Sequence, residues 1–230
     1  MNAFILDNTI NSRSDLGFRI TQPPIIPAAK RIFDSIAVDG REGSLTIPRG
    51  WEDTVFEMRA ALVGTNIPSR WRTALPKILN AKTIYFSNDN TVFYNIKHAE
   101  AGALERRLSS LYDFPISFTC APFRYLRNVP LTTLTASGTI NNAGTVYSLP
   151  KITIYGTGSR TLTINGKPIV LNLLSGSLTL DGELRECYYG GMAQNNRMSG
   201  DFPVFNVGNN TVTLGTGITK LEIEPRWRYL

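Results

Sequence analysis

The residues after position 150 alternate between apolar and polar side chains in short segments that Gly and Asn separate. A period of two places the apolar residues on one face of a β-strand, which is typical of a sheet with one buried side. Asn165-Gly166 lies between two of these segments and favours a type I′ hairpin turn, whose central residues both need a positive φ. The predicted strands are Ile152–Tyr155, Thr161–Ile164, Leu178–Leu180, Thr211–Leu214 and Leu221–Glu224.

The first half of the chain combines strand patterns with helical ones. Pro68–Leu79 is predicted as a helix, because proline suits a first turn and the larger apolar side chains share one face. Pro76 lies inside it and predicts a kink or an early stop. Ala99–Leu111 has leucines at helical spacing and is predicted as a second helix, whereas Val55–Val63 fits a strand or a helix and its alternation favours a strand. The other predicted strands are Asn2–Ile10, Gly17–Gln22, Asp34–Val38, Ser44–Ile47, Thr83–Phe86, Thr91–Ile96 and Ile116–Cys120.

The composition changes between the two halves. Pro122, Pro130 and a stretch rich in Thr, Ser, Asn and Gly from Leu131 to Ser148 place a domain boundary near residues 124–132. We therefore predict a mainly β protein with two domains, 1–126 and 127–230. The last C-terminal strand is expected to pack back on the first domain.

The net charge of +6 is spread evenly, since residues 1–125 and residues 126–230 each carry +3. Phosphate recognition needs a concentrated basic surface, so this distribution argues against nucleic-acid binding. Cys120 and Cys187 have no nearby partner in sequence and are expected to be buried free thiols in a reducing cytoplasm. The sequence shows neither an apolar run long enough for a membrane span nor a signal peptide at the N-terminus, so ordinary secretion is not expected.

Residues that could support catalysis are few. His98 is the only histidine and lies outside any metal-binding motif. Asp181, Glu183 and Glu186 form the densest acidic cluster, which is also what a hydrophilic turn contains. We expect no catalytic residues, no metal and no cofactor. Tyr188 and Tyr189 are candidate sugar contacts, because exposed aromatic rings can stack on saccharides, but one residue of such an alternating pair often packs in a core.

Four segments, in order along nearly the whole chain, resemble the distal tail (Dit) protein family of long-tailed phages that infect Gram-positive bacteria. Each combines a turn with a strand, and their joint order carries the resemblance. Relatives with a long insertion in the second domain differ from this chain, which has none. The segments are Asp39–Leu45, Ile116–Tyr125, Pro150–Lys167 and Met198–Leu230.

The resemblance implies an N-terminal, ring-forming β-sandwich with a helix and a C-terminal galectin-like or carbohydrate-binding-module-like β-sandwich. It further implies a homo-hexamer at the tail tip of a virion, assembled in the host cytoplasm. That ring would join the tail tube protein to the tail-associated tip or hub protein, with a receptor-binding protein as a further partner. It would contact no membrane, and DNA would pass through it only as cargo.

The predicted hairpin Asp34–Ile47 has a glycine-rich tip and is the candidate contact to a neighbouring subunit. Two other classes stay open from the residues alone. One is a module of the host-adhesion device that binds cell-wall carbohydrate through the second domain, and the other is a cell-wall hydrolase. The candidate ring-interface residues are Asp39, Gly40, Arg41, Glu42, Gly43 and Ser44.

Overall fold

The structure is a computed structural model that describes residues 3–40, 42–173 and 176–230. The chain divides into two compact units, Met1–Arg127 together with Leu230, and Asn128–Tyr229. Most of the regular structure is β-strand, with a single α-helix among the described residues. The predicted mainly β fold class is therefore confirmed.

The first unit contains ten strands and helix α1 among its described residues. Their bounds are β1 Phe4–Leu6, β2 Ile10–Asn11, β3 Phe18–Gln22, β4 Arg31–Ala37, β5 Ser44–Trp51, β6 Thr54–Val63, α1 Ile67–Leu79, β7 Thr83–Phe86, β8 Asp89–Ala101, β9 Glu105–Leu108 and β10 Leu111–Leu126. The main sheet has the order β2-β1-β7-β8-β10-β6-β3, with β9 also paired to β10. Strands β4 and β5 form a separate two-stranded sheet.

The core of the first unit is built from the alternating positions of its long strands. Phe56, Met58 and Ala60 on β6 are buried, as are Phe114 and Phe118 on β10. These residues join side chains from the other strands and from α1 in one apolar cluster. Burial of this kind supplies about 1.5–3 kcal/mol for each large apolar side chain.

Helix α1 runs to Leu79, so the early stop, one of the two outcomes predicted at Pro76, does not occur. Pro76 is exposed and lies in the last turn, where the loss of one backbone donor affects only the end of the helix. Asn80 closes that end, because its backbone and side-chain amides donate to the carbonyl oxygen of Pro76 at 3.1 and 2.9 Å. Trp71 packs on Phe114 with ring centroids 4.3 Å apart.

The predicted second helix, Ala99–Leu111, is also wrong. Its first residues continue β8, where Ala99 is buried and pairs with Phe118 of β10. Leu108, which helical spacing would place in the core, is 64% exposed in β9. Strand β10 has 16 residues and pairs with β6, β8 and β9. The sheet hydrogen bonds that it offers outweigh a weak local preference for helix.

The second unit is a sandwich of two antiparallel sheets. One has the order β11-β21-β13-β16-β17-β18 and the other has the order β12-β20-β14-β15-β19. A short 3₁₀ helix covers Asn195–Arg197. The strands are β11 Thr132–Leu134, β12 Gly138–Asn142, β13 Lys151–Gly156, β14 Gly158–Ile164, β15 Lys167–Leu173, β16 Ser177–Asp181, β17 Glu186–Tyr189, β18 Met192–Ala193, β19 Met198–Ser199, β20 Gly208–Leu214, β21 Ile218–Glu224 and β22 Arg228–Tyr229.

Each predicted strand of this unit is present, with bounds one to three residues wider. The β14–β15 hairpin turns at Asn165-Gly166 with φ of 52° and 77°, as a type I′ turn requires. The inward-facing residues of both sheets are buried, for example Ile152 and Ile154 on β13 and Leu162 on β14. These buried rows form the interior of the sandwich.

The two cysteines are buried and unpaired, as predicted. Burial raises the pKa of the Cys120 thiol to about 12 and that of the Cys187 thiol to about 11. The thiolate is the nucleophilic form of cysteine, so neither side chain is suited to act as a nucleophile near neutral pH.

Candidate functional site

The most unusual surface of the first unit is the hairpin formed by β4 and β5. Its register pairs Ala37 with Ser44 near the tip and Arg31 with Trp51 at the base, with one irregularity between Ile32 and Phe33. A two-stranded ribbon without a covered face is only marginally stable by itself in water. We therefore expect the hairpin to pack against a further surface.

One face of this hairpin is aliphatic, and we call it the aliphatic face. Alternation places Ile32 and Ile36 of β4 on the same side as Leu45 and Ile47, because Ile36 pairs directly with Leu45. Asp34 also lies on this side, where it pairs with Ile47 and forms an ion pair with Arg49. Ile32, Ile36 and Leu45 are 40%, 45% and 43% exposed. The opposite face carries the polar pair Ser35 and Thr46 and, next to it, Phe33, which is 50% exposed and pairs with Pro48. Apolar side chains clustered on an exposed ribbon are typical of a protein–protein contact.

The base of the hairpin is fixed to the main sheet. The Trp51 ring packs edge-on against Phe123 of β10, with centroids 5.9 Å apart. The Arg31 guanidinium lies 5.3 Å from the centroid of the Trp51 ring. The backbone N–H of Glu52 donates to the carbonyl oxygen of Lys30 at 2.8 Å. The hairpin is thus an anchored arm whose outer half is exposed.

The tip contains the residues predicted to contact a neighbouring subunit. Asp39, Gly40, Glu42, Gly43 and Ser44 are exposed, and Arg41 lies outside the described residues. Gly40 and Gly43 have φ of 78° and 81°, which favours glycine at both ends of the turn. A Cβ added at either position would meet nothing within 4 Å in the described part of the chain. The tip is therefore accessible to another molecule.

Tyr188 and Tyr189, the predicted sugar contacts, lie on β17 near one edge of their sheet. Tyr188 is half-buried, and Tyr189 is exposed and pairs with Met192 of β18. Successive residues of a strand project to opposite faces. The two rings therefore lie on different faces and do not form one stacking platform.

The acidic cluster has a structural role centred on Asp181. This side chain is 2% exposed and accepts hydrogen bonds from both terminal nitrogens of Arg226, at 2.8 and 2.9 Å. It also accepts the backbone N–H groups of Glu183 and Leu184 at 3.0 and 3.1 Å. A carboxylate so enclosed cannot reach a substrate. Glu183 lies 3.2 Å from the same guanidinium, so the cluster stabilises the turn.

The described residues give little support to histidine chemistry, metal binding or a membrane-spanning helix. His98 is exposed and lies 3.1 Å from Glu100 on the same strand. Across residues 3–40, 42–173 and 176–230, His, Cys, Asp and Glu side chains nowhere gather in the group of three that could hold a metal ion. In the same ranges, the helix is too short and too polar to cross a membrane.

The sequence analysis identified the tip of the hairpin but missed its aliphatic face. The signal was present in Ile32 and Ile36 on one strand and in Leu45 and Ile47 on the other, which alternation places on one face with Asp34 between the first two. Alternation defines the two faces of a strand, but it does not tell whether the apolar face is covered by the same chain.

Comparisons with known proteins give a match to solved structures of phage adsorption apparatus. The Dit protein (gp 19.1) of phage SPP1, described as a paradigm of the hub adsorption apparatus in phages that infect Gram-positive bacteria, is similar to this chain with a TM-score of 0.68 and 14% identity. The match covers 97% of each chain. A chain of the phage P2 baseplate, in its activated conformation with Ca, matches with a TM-score of 0.52 and 10% identity over 97% of this chain and 98% of that one.

No protein-family model and no curated protein matches the sequence. At 14% and 10% identity, the structural similarity establishes a shared fold over nearly the whole length of each chain. The resemblance inferred from the four sequence segments is confirmed at the level of the fold.

Proposed function

We propose that this chain is a non-enzymatic structural protein of a phage tail tip, where six copies form a ring. The observation that carries the proposal is an anchored hairpin with an exposed aliphatic face, in a chain whose fold matches that of the SPP1 Dit protein along 97% of both lengths. The hairpin of each subunit contacts the next subunit. The ring then connects the tail tube to the tail-associated tip protein.

Ring closure explains why one modest contact surface on each subunit is sufficient to hold the assembly together. In a cyclic assembly, a single head-to-tail contact is repeated at every interface until the rotation closes. Each hairpin buries its aliphatic face against one neighbour, and its own subunit receives the hairpin of the other neighbour. Every subunit therefore gains two interfaces from one pair of complementary surfaces.

The remaining parts of the proposal concern its partners. The first unit forms the ring, the second unit carries the outer lobe, and a receptor-binding protein attaches to the assembly. The evenly spread charge supports a channel through which DNA passes as cargo, without specific recognition. The enclosure of Asp181 and the raised pKa values of both thiols support a role without catalysis.

Deleting Gly40–Ser44 is expected to leave a folded monomer that no longer forms rings. The deletion leaves a three-residue connection between the paired residues Ile36 and Leu45, so the base of the hairpin stays intact while its outer end is removed. Light scattering coupled to gel filtration would give the mass, and circular dichroism would verify the fold. A deletion variant that is still hexameric would exclude the tip from the ring contact.

A further inference from the structure

The second unit contains a groove to which the proposed function assigns no role. Its volume is about 310 Å³, and it lies beside the β14–β15 turn, the segment 201–206 and Arg185. Its apolar lining consists of Phe202 and Val204, which are half-buried, and of Ile164 and Ile169, which are only 3% and 2% exposed. Small-molecule sites typically combine such an apolar lining with a few polar groups at defined positions.

One buried amide holds two walls of the groove together. The side chain of Asn210 is fully buried, and its Oδ1 accepts the Asn206 backbone N–H and the Asn165 side-chain amide, each at 2.7 Å. Its Nδ2 donates to the carbonyl oxygen of Asn206 at 2.9 Å. The turn at Asn165 and the segment containing Asn206 are thereby fixed to one another.

Two glycines allow the backbone segments that form the third wall of the groove to pack closely against their neighbours. A Cβ added to Gly182 would lie 3.0 Å from the carbonyl oxygen of Pro203, and one added to Gly200 would lie 2.8 Å from that of Pro168. The first approach places the turn that carries Arg185 beside the segment 201–206, and the second places the start of that segment beside β15. The groove is therefore preformed, which lowers the entropic cost of binding.

The rim of the groove differs from its walls, because its polar side chains have no partners. Lys167, Arg185, Asp201 and Asn206 are exposed, and within the part of the chain that the structure describes their side chains make no hydrogen bond or ion pair. The rim contains two cations and one carboxylate and therefore carries an excess positive charge. Arg185 also has a φ of 56°, a strained conformation of the kind that is concentrated at functional positions.

We propose that this groove binds a saccharide ring that carries a phosphate or similar anionic substituent. Phe202 and Val204, the half-buried apolar residues of the lining, suit the apolar face of a sugar ring. The Arg185 guanidinium and the Lys167 ammonium suit the oxygens of the anionic group. Asp201 and Asn206 suit hydroxyl groups, since a carboxylate accepts and an amide both donates and accepts hydrogen bonds.

This site differs from the predicted aromatic contacts at Tyr188 and Tyr189, and it does not depend on ring formation. A bare anion would make no use of the apolar lining, and a neutral sugar would make no use of the excess positive charge. The proposal therefore requires both parts of the ligand on one molecule.

The test titrates the full chain with glucose 6-phosphate, glucose and inorganic phosphate, using calorimetry and saturation-transfer NMR. Glucose 6-phosphate is expected to bind at least about tenfold more tightly than either other probe. A Lys167→Ala/Arg185→Ala variant is expected to lose about tenfold or more of that affinity with an unchanged unfolding temperature. Arg106→Ala, which removes an exposed guanidinium from the first unit, is the charge control and should bind as the parent does.

Four results would overturn the proposal. Equal affinity for inorganic phosphate would reduce the groove to a simple anion site. Equal affinity for glucose would show that the rim cations are not used. Affinity that survives in the double variant would place the site elsewhere, and the lack of binding by all three probes would exclude it.

Discussion

Replacing Ile36 and Leu45 together by lysine is expected to abolish ring formation while the monomer stays folded. The two residues pair directly across the hairpin and are 45% and 43% exposed in the single chain. At a ring interface this remaining exposed surface would become buried, and each residue would contribute about 1 kcal/mol to association. Lysines at these positions would lose that contribution and add the cost of burying unpaired charges. Because the residues are exposed in the monomer, its stability should change little.

The matched control is Ser35→Lys/Thr46→Lys. These residues form the adjacent pair on the opposite face of the same hairpin, so the control introduces the same charges one residue pair further from the tip. Light scattering should show a monomer for the first variant and a ring for the control. Loss of the ring in both variants would indicate a general charge effect, and retention in both would show that the aliphatic face lies outside the interface.

Replacing Arg226 by alanine is expected to destabilise the second unit by about 3–5 kcal/mol. Arg226 is the cation that neutralises Asp181, whose side chain is 2% exposed and which would be left as a buried unpaired charge. Urea denaturation at neutral pH, followed by circular dichroism, measures the effect. Arg226→Lys is the graded control, since it keeps the charge but loses the two-point contact. A loss below about 1 kcal/mol for Arg226→Ala would show that water or a local rearrangement neutralises Asp181.

The same ion pair predicts a dependence on pH. Burial alone would raise the pKa of Asp181, but hydrogen bonds from Arg226 and from the backbone N–H groups of Leu184 and Glu183 outweigh it and lower that pKa. The lowered pKa stabilises the folded state fully above the unfolded value of about 3.9, and this stabilisation is lost as the pH falls through the folded pKa. The stability difference between the parent and Arg226→Ala should therefore shrink below about pH 4. A constant difference across this range would contradict the assignment.

Much of the second unit could be predicted from local sequence. Ile152–Tyr155 and the hairpin at Asn165-Gly166 are correct because side-chain alternation and a positive-φ turn are both local properties. Ala99–Leu111 was predicted wrongly because its outcome depends on β10, which is distant from Ala99 in the sequence and pairs with it. Strand pairing is a long-range property that helical spacing within one segment does not report.

The surfaces proposed to be functional divide in the same way between local and long-range properties. The glycines at 40 and 43 revealed a hairpin tip, since glycine has a local conformational role there. The exposure of Ile36 and Leu45 depends on which surfaces the rest of the chain leaves uncovered. The groove beside Phe202 depends on Asn210, which brings together segments that lie 41 residues apart at Asn165 and Asn206.

Electron microscopy of the purified full-length protein, together with its mass in solution, tests the central claim most directly. We expect rings with sixfold symmetry and a mass six times the 25.5 kDa of one chain. A chain that stays monomeric at all concentrations, including in the presence of its neighbouring tail proteins, would contradict the proposed hub.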